Sequence, residues 1–164
     1  MGTSGAGKSV FGAAWAARFG ARFLDADDLH PAANREKMEA GIPLDDVDRI
    51  PWLDAVAAWA AARQTAGDAC VLACSALRRR YRDRLRAALS GLGFVYLAVP
   101  PLELARRMRT RRHFMPPALL DSQLATLEPP AADEDACTLD GTQALAVNIA
   151  RVEAWLSTRR ATKG

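Results

Sequence analysis

The first nine residues contain a pattern that is typical of phosphate binding. Residues 2–9, GTSGAGKS, match the spacing G-x-x-x-x-G-K-[ST], and a helical pattern follows directly, which argues against a chance glycine turn. In such a loop backbone N–H groups surround phosphate oxygens, Lys8 reaches the β- and γ-phosphates, and the Ser9 hydroxyl ligates Mg²⁺. The pattern predicts a bound nucleotide without specifying a reaction. The residues expected to hold it are Gly2, Ser4, Gly5, Ala6, Gly7, Lys8, Ser9 and Val10.

A pair of carboxylates follows the next extended segment. The stretch FLDADD places Asp25 and Asp27 on one side of an extended chain. One carboxylate can organise Mg²⁺ through water while the other accepts a proton from a substrate hydroxyl. Hydrolytic phosphate-loop proteins commonly carry an acidic residue after an apolar strand, whereas the strand VLACS here ends in Ser75. The pair therefore favours transfer to a hydroxyl, with an Asp-rich turn that caps the next helix as the alternative.

The composition bounds the class of protein and its partners. The chain has 164 residues, half of them hydrophobic, and a net charge of +3 that arginine carries almost alone, which suits one domain with an anionic small ligand. Arginine runs at 78–80 and 106–112 lack the interleaved aromatics of a nucleic-acid surface and are expected to be solvated helix faces. No apolar run reaches the ~20 residues of a membrane span. Scattered cysteines without metal-ligand spacing predict a reducing, cytoplasmic setting.

Hydrophobic patterning predicts strands that alternate with helices along the chain. The predicted strands are 21–24, 69–75, 94–99 and 136–139, and the predicted helices are 9–19, 31–40, 51–66, one that ends at 89, 102–111, 117–127 and 143–159. The runs ACVLACS and FVYLAV are uniformly apolar, as expected of strands that are buried on both faces. This alternation predicts an α/β fold in which helices wrap a parallel sheet within one domain.

Four blocks of sequence besides the phosphate loop are long and specific. They are FLDADDLHPAANREKMEAGIPLDDVDRIPWL, VLACSALRRRYRDRLR, FVYLAV and HFMPPALLDSQLATLEPP. With the loop they resemble the gluconokinase family, relatives of shikimate kinase among the P-loop kinases. The resemblance covers nearly the whole chain and implies a three-layer α/β fold with a parallel sheet of order 2-3-1-4-5. It also implies that a single domain, residues 1–164, phosphorylates the 6-hydroxyl of D-gluconate with ATP and Mg²⁺.

The resemblance implies a role for each matching residue. Asp27 would orient or deprotonate the 6-hydroxyl, Asp25 would support Mg²⁺ through water, and Arg49 would face the substrate carboxylate. Their alternatives without the family match are an exposed charge for Arg49, a helix-surface ion pair for Arg82 and a helix cap for His30. The expected catalytic residues are Lys8, Asp27 and Arg111, the metal ligands Ser9 and Asp25, and the substrate contacts Asp27, His30, Arg49, Ser75, Arg78, Arg82 and His113.

The segment near 107–117 is expected to form a lid whose arginines stabilise charge on the transferred phosphoryl group. The family usually carries a glycine before the His-Phe pair, and here Arg112 stands directly before it. The arginine that faces phosphate is therefore open among Arg107, Arg111 and Arg112. We assign Arg111 to the phosphate and Arg107 to the side of the adenine.

The phosphate loop begins directly after Met1, although the family's loop follows an apolar strand in the middle of the sheet. We therefore expect a start codon placed too late and a gap between strands 69–75 and 94–99, either closed by direct pairing or left open. Unpaired backbone groups at such a gap cost ~1–3 kcal/mol each. Two other functions stay open: a related kinase of a shikimate-like acid, and a nucleotide-binding module without catalysis. A homodimer also stays open.

Overall fold

Strands and helices alternate along the chain in a computed structural model that describes residues 1–110 and 118–161. Within these residues the strands are β1 Arg22–Asp25, β2 Cys70–Ala73, β3 Phe94–Ala98 and β4 Ala136–Asp140. The helices are α1 Lys8–Phe19, α2 Ala32–Glu39, α3 Asp46–Thr65, α4 Arg79–Ala88, α5 Pro101–Thr110, α6 Ala118–Thr126 and α7 Leu145–Ala161, with a 3-10 helix at Ala26–Leu29. The predicted order of strands and helices is confirmed.

The strands form two separate parallel pairs. β1 pairs with β2, with Asp25 opposite Ala73, and β3 pairs with β4, with Leu97 opposite Leu139. In the predicted order 2-3-1-4-5, number 1 is the strand that precedes the phosphate loop in the family, and β1 to β4 correspond to numbers 2 to 5. The two observed pairs are therefore 2-3 and 4-5, and strand number 1 would lie between them. The two pairs do not close on each other, so the gap that the sequence predicted is open.

A slot of about 300 Å³ lies between β2 and β3. At one end of the slot the Leu97 N–H donates to the Met1 carbonyl at 3.1 Å, and the Met1 amino group contacts the Val95 carbonyl. On the other side the Gly2 N–H donates to the Ser75 carbonyl at 3.2 Å. Residues 1 and 2 therefore join the two strand pairs through backbone hydrogen bonds, on one side to β3 and on the other to Ser75, just after β2.

The slot corrects one prediction about burial. β2 was predicted to be buried on both faces, but its first three residues are only partly buried and line the slot. The apolar sequence of β2 suits a strand with a partner on each side, and in this structure β1 is its only strand partner among the described residues.

The core beside β1 fixes the segment that carries the acidic residues. Trp52 and Leu53 of α3 are buried there with Leu24 of β1. The Trp52 indole N–H donates to the Ala26 carbonyl at 2.7 Å, which ties α3 to the 3-10 helix that follows β1. Burial of one large aromatic residue thus holds the backbone next to Asp27.

Helix α3 begins at Asp46 and not at the predicted Pro51. Asp45 caps the helix because its carboxylate accepts the Asp48 N–H at 3.0 Å, while the Asp48 carboxylate accepts the Asp45 N–H at 3.1 Å. This reciprocal cap outweighs the preference of Pro51 for a first turn. Arg49 consequently lies on the first turns of α3, and not in front of a helix as its alternative reading required.

Candidate active site

The loop of residues 2–7 has the backbone of a phosphate cradle. Gly5 and Gly7 have φ values of 81° and 95°, in the left-handed region that favours glycine. Gly7 is the N-cap of α1 and has no side chain with which to cap it. The N–H groups of the first turn, from Lys8 onward, therefore point at the place where an anion binds.

Lys8 folds back over this loop. Its Nζ donates to the Thr3 carbonyl at 3.0 Å. Burial lowers the pKa of Lys8, while the charges of Asp27 and Asp25 act to raise it. The ammonium group is thus desolvated, which strengthens its attraction for an incoming phosphate, while the two carboxylates favour its charged form.

Ser9 and Asp25 meet next to the loop. The Ser9 hydroxyl donates to Asp25 Oδ2 at 2.5 Å, and Asp25 Oδ1 accepts the Asp27 N–H at 3.2 Å. The two side chains predicted as metal ligands are therefore adjacent. In residues 1–110 and 118–161 no three His, Cys, Asp or Glu side chains converge on one point.

A narrow pocket of about 30 Å³ joins the loop to the acidic segment. Lys8 and Asp27 line it together with Arg49 of α3 and Ser75, which follows β2. These four residues are up to 67 positions apart in sequence. The structure therefore brings together a cation from the phosphate loop, a carboxylate and a second cation.

Arg49 is a buried cation in this pocket. Its Nε donates to the Leu44 carbonyl at 3.1 Å, and its guanidinium lies 5.9 Å from the centre of the Tyr81 ring. In the described part of the chain no carboxylate forms a salt bridge with it. Burial lowers the pKa of Arg49, and so does the nearby charge of Arg78, while the charge of Asp46 acts to raise it. A buried charge without a salt-bridge partner is costly.

His30 is the histidine expected to contact the substrate beside the acidic segment. It is 4% exposed, lines the pocket and stacks on Trp52 with ring centres 4.2 Å apart. His30 also ends the 3-10 helix, where its backbone N–H donates to the Asp27 carbonyl.

Arg82 is a correction to the predicted substrate contacts. Its side chain has no exposed surface, and it donates to both carboxylate oxygens of Glu134 at 2.6 and 2.7 Å and to the Glu128 carbonyl at 2.9 Å. Glu134 also accepts from Arg86, and these arginines lower the pKa of Glu134. Arg82 therefore anchors the segment before β4 to α4, and it does not line the pocket.

The lid predictions are only partly covered by the structure. Arg107 bridges two loops, because its Nη1 donates to the Gly5 carbonyl at 3.3 Å and its Nη2 to the Gly141 carbonyl at 3.0 Å. It thus lies between the phosphate loop and the turn after β4. Arg111 and His113 lie outside the described residues.

Two buried polar residues of this region were not predicted from the sequence. The Gln123 Oε1 of α6 accepts the Ser4 N–H at 2.7 Å, which links α6 to the phosphate loop. Asn34 of α2 contacts His30. Both residues stand in blocks that carry the family resemblance, but an amide on a helix gives no sign of its partner until the tertiary contacts are known.

Comparison with known proteins agrees with this geometry. A family model described as an AAA domain matches residues 1–130. A gluconokinase from Gluconobacter oxydans (strain 621H) is 46% identical over 142 residues, which cover 86% of this chain and 80% of that protein. The crystal structure of a sugar kinase from Janibacter sp. HTCC2649 matches with a TM-score of 0.91 at 43% identity, covering 96% of this chain and 91% of that chain.

A second solved structure points the same way. A gluconokinase from Sinorhizobium meliloti 1021 matches with a TM-score of 0.86 at 44% identity, covering 96% of this chain and 89% of that chain. These likenesses extend over most of each protein, and the family model matches a range that includes the phosphate loop and the acidic segment. The P-loop kinase fold expected from the sequence is confirmed, and the chain belongs to the gluconokinase family.

Proposed function

We propose that this protein transfers the γ-phosphoryl group of ATP to the 6-hydroxyl of D-gluconate, giving 6-phospho-D-gluconate and ADP. One observation carries the proposal: Lys8, Asp27 and Arg49 line the same pocket. Phosphorylation of a sugar acid needs three groups: a cation that binds phosphate, a carboxylate that can take a hydroxyl proton, and a cation that binds the substrate anion.

The phosphate loop and Lys8 would hold the nucleotide. The amide N–H groups at the start of α1 receive phosphate oxygens, and the Lys8 ammonium neutralises charge that develops on the transferred group. Arg107, between Gly5 and Gly141, is suited to lie beside the adenine. We further assign Arg111 to the transferred phosphate. Catalysis is then mainly positioning and electrostatic stabilisation.

A magnesium ion fits the donor set next to the loop. The Ser9 hydroxyl and the Asp25 carboxylate are hard oxygen donors that already touch each other, which is the chemistry Mg²⁺ prefers. The remaining ligands would be phosphate oxygens and water. When bound, the ion would neutralise charge on the β- and γ-phosphates.

The acceptor end of the pocket would bind the sugar acid. Arg49, with Arg78 nearby, would pair with the carboxylate of gluconate, and Asp27 would accept the proton of the 6-hydroxyl. Ser75 and His113 would contact hydroxyl groups, and His30 would line this end of the pocket beside Asp27. A pocket of about 30 Å³ must open to admit a six-carbon acid and then close over it, in keeping with the opening and closing motions of kinases.

We also propose a cytoplasmic location and no nucleic-acid partner. All three cysteines are free thiols, which suits a reducing compartment. Exposed arginines of α4 pair with carboxylates, as Arg80 does with Asp46 and Arg84 with Asp54, so they do not form an open basic face. None of the helices described here combines the length and apolar character needed to cross a bilayer. A homodimer is retained as part of the proposal.

Removing the guanidinium group of Arg49 should chiefly weaken the binding of gluconate. Arg49→Ala is expected to raise KM for gluconate about 10- to 150-fold, the value of a charge-assisted hydrogen bond of ~1.5–3 kcal/mol. Steady-state kinetics with varied gluconate at saturating ATP measures the effect. Arg63→Ala, which removes an exposed arginine farther along α3, is the matched control and should change KM by less than about twofold. Equal effects of the two substitutions would contradict the role of Arg49.

A further inference from the structure

The ring of His30 is held in one plane beside the carboxylate of Asp27. It stacks on Trp52 with an angle of 14° between the rings, and Trp52 is itself fixed by its bond to the Ala26 carbonyl. The His30 Nε2 lies 3.9 Å from Asp27 Oδ1. The histidine therefore faces the proposed base with its Nε2 edge.

The other edge of the ring meets a buried amide. Asn34, 3% exposed, places its Nδ2 3.3 Å from His30 Nδ1 and 2.9 Å from the Asp48 carbonyl oxygen. The carbonyl can only accept, which fixes the orientation of the Asn34 amide. Its second N–H then donates to His30 Nδ1, so Nδ1 has to carry a lone pair. In a neutral ring the proton stands on Nε2.

The surroundings keep this ring neutral. Burial lowers the pKa of His30 to about 4, and the positive charges of Arg49 on α3 and Arg35 on α2 act in the same direction. Asp27 is the acidic group that faces the ring from the 3-10 helix. Near neutral pH His30 thus presents a single N–H to the Asp27 side.

We propose that Asn34 and His30 form a relay that positions Asp27: the Asn34 amide fixes the His30 tautomer, and the His30 Nε2–H holds one oxygen of the Asp27 carboxylate. The relay assigns both residues positioning roles and rests on the proposed function for the role of Asp27. At 3.9 Å the last contact is longer than a hydrogen bond, and we expect it to shorten when substrate is bound, as catalytic hydrogen bonds do.

The tautomer can be measured on the unaltered chain. The ¹⁵N chemical shifts of the imidazole nitrogens distinguish a protonated from an unprotonated nitrogen, and the chain has only two histidines, so the His30→Gln variant identifies the signals. We expect the proton on Nε2 at pH 7. A proton on Nδ1 would overturn the relay. This result does not depend on the substrate, so it separates the relay from the proposed function.

Two substitutions of His30 test the positioning role. His30→Gln keeps an amide donor near the place of Nε2, whereas His30→Asn keeps one near Nδ1. We expect His30→Gln to hold kcat within about fivefold, and His30→Asn to lower kcat roughly 10- to 100-fold while KM for ATP changes less than about threefold. Equal kcat values for both variants and the unaltered chain would overturn the relay. If the unaltered chain phosphorylated no sugar acid although its Nε2 is protonated, that result would instead count against the proposed function.

A third substitution tests Asn34 itself. Asn34→Asp replaces the amide donor with an acceptor of the same shape, so the proton on the His30 ring is expected to appear on Nδ1. We expect kcat to fall by a factor similar to that of His30→Asn. An Asn34→Asp variant that keeps Nδ1 unprotonated and kcat unchanged would overturn the role of Asn34.

Discussion

Replacing Asp27 by asparagine is expected to lower kcat for gluconate phosphorylation about 10²- to 10⁴-fold, the usual contribution of a positioned base. The amide keeps the shape of the side chain and removes the group that accepts the hydroxyl proton. ATP affinity should change little, because the phosphate loop and Lys8 remain. The expected split is measured by combining steady-state kcat with titration calorimetry of ATP.

Asp28 supplies a matched control for this substitution. It directly follows Asp27 on the same 3-10 helix, it is exposed, and it does not line the pocket. Asp28→Asn should leave kcat within about twofold. The role of Asp27 would be contradicted if both variants lost the same activity, or if Asp27→Asn retained the full kcat.

Filling the slot between β2 and β3 is expected to give the largest gain in stability. Adding about five apolar residues, a usual strand length, ahead of Met1 would extend the backbone pairing that residue 1 begins with Val95 and Leu97. Apolar side chains that fill the slot of about 300 Å³ remove apolar surface from water at ~25 cal/mol per Å², and ordering the added residues offsets part of that gain. We expect the melting temperature to rise on the order of 5–10 °C and ATP to bind more tightly.

The amino group of Met1 adds a pH signature to this experiment. Burial lowers its pKa from 8.0 to about 5. The unfolded chain therefore takes up the proton first, so the stability of the 164-residue chain should fall as the pH drops from about 8 to about 5. In the extended chain this nitrogen is a peptide N–H, and that part of the pH dependence should disappear.

An extension of five glycine and serine residues is the control for length. It should remove the pH signature without filling the slot, and should leave the melting temperature nearly unchanged. Equal melting temperatures for the apolar extension and the 164-residue chain, with equal ATP affinity, would show that the slot does not need a strand.

Local sequence patterns were sufficient for the loop and the strands. Asp25 and Asp27 lie close together as expected, but Asp27 stands on the 3-10 helix Ala26–Leu29 and not on the extended chain from which their proximity was predicted. The gap in the sheet was expected because the phosphate loop of the resembling family follows a central strand, and the uniformly apolar runs on either side of the gap agree with it. In each of these cases the relevant neighbours are close in sequence or are implied by the alternation of strands and helices.

The errors concern residues whose partners are far away in sequence or whose local signals compete. Arg82 is buried because it pairs with Glu134, which lies 52 positions later. Its place in a basic run of sequence gave no indication of this buried ion pair. At the start of α3 two signals compete, and the reciprocal cap of Asp45 and Asp48 prevails over Pro51. The contact of Gln123 with Ser4 spans 119 positions and was likewise not accessible to sequence patterns.

The most direct test of the central claim, that this pocket phosphorylates gluconate, is a side-by-side measurement of kcat/KM. Gluconate, shikimate and glycerate would each be assayed with ATP and Mg²⁺ through coupled release of ADP. We expect gluconate to exceed the other two acids by roughly 10²-fold or more, since the pocket reads a carboxylate and a distant hydroxyl together. Comparable turnover of shikimate, or ATP binding without ADP release when gluconate is present, would contradict it.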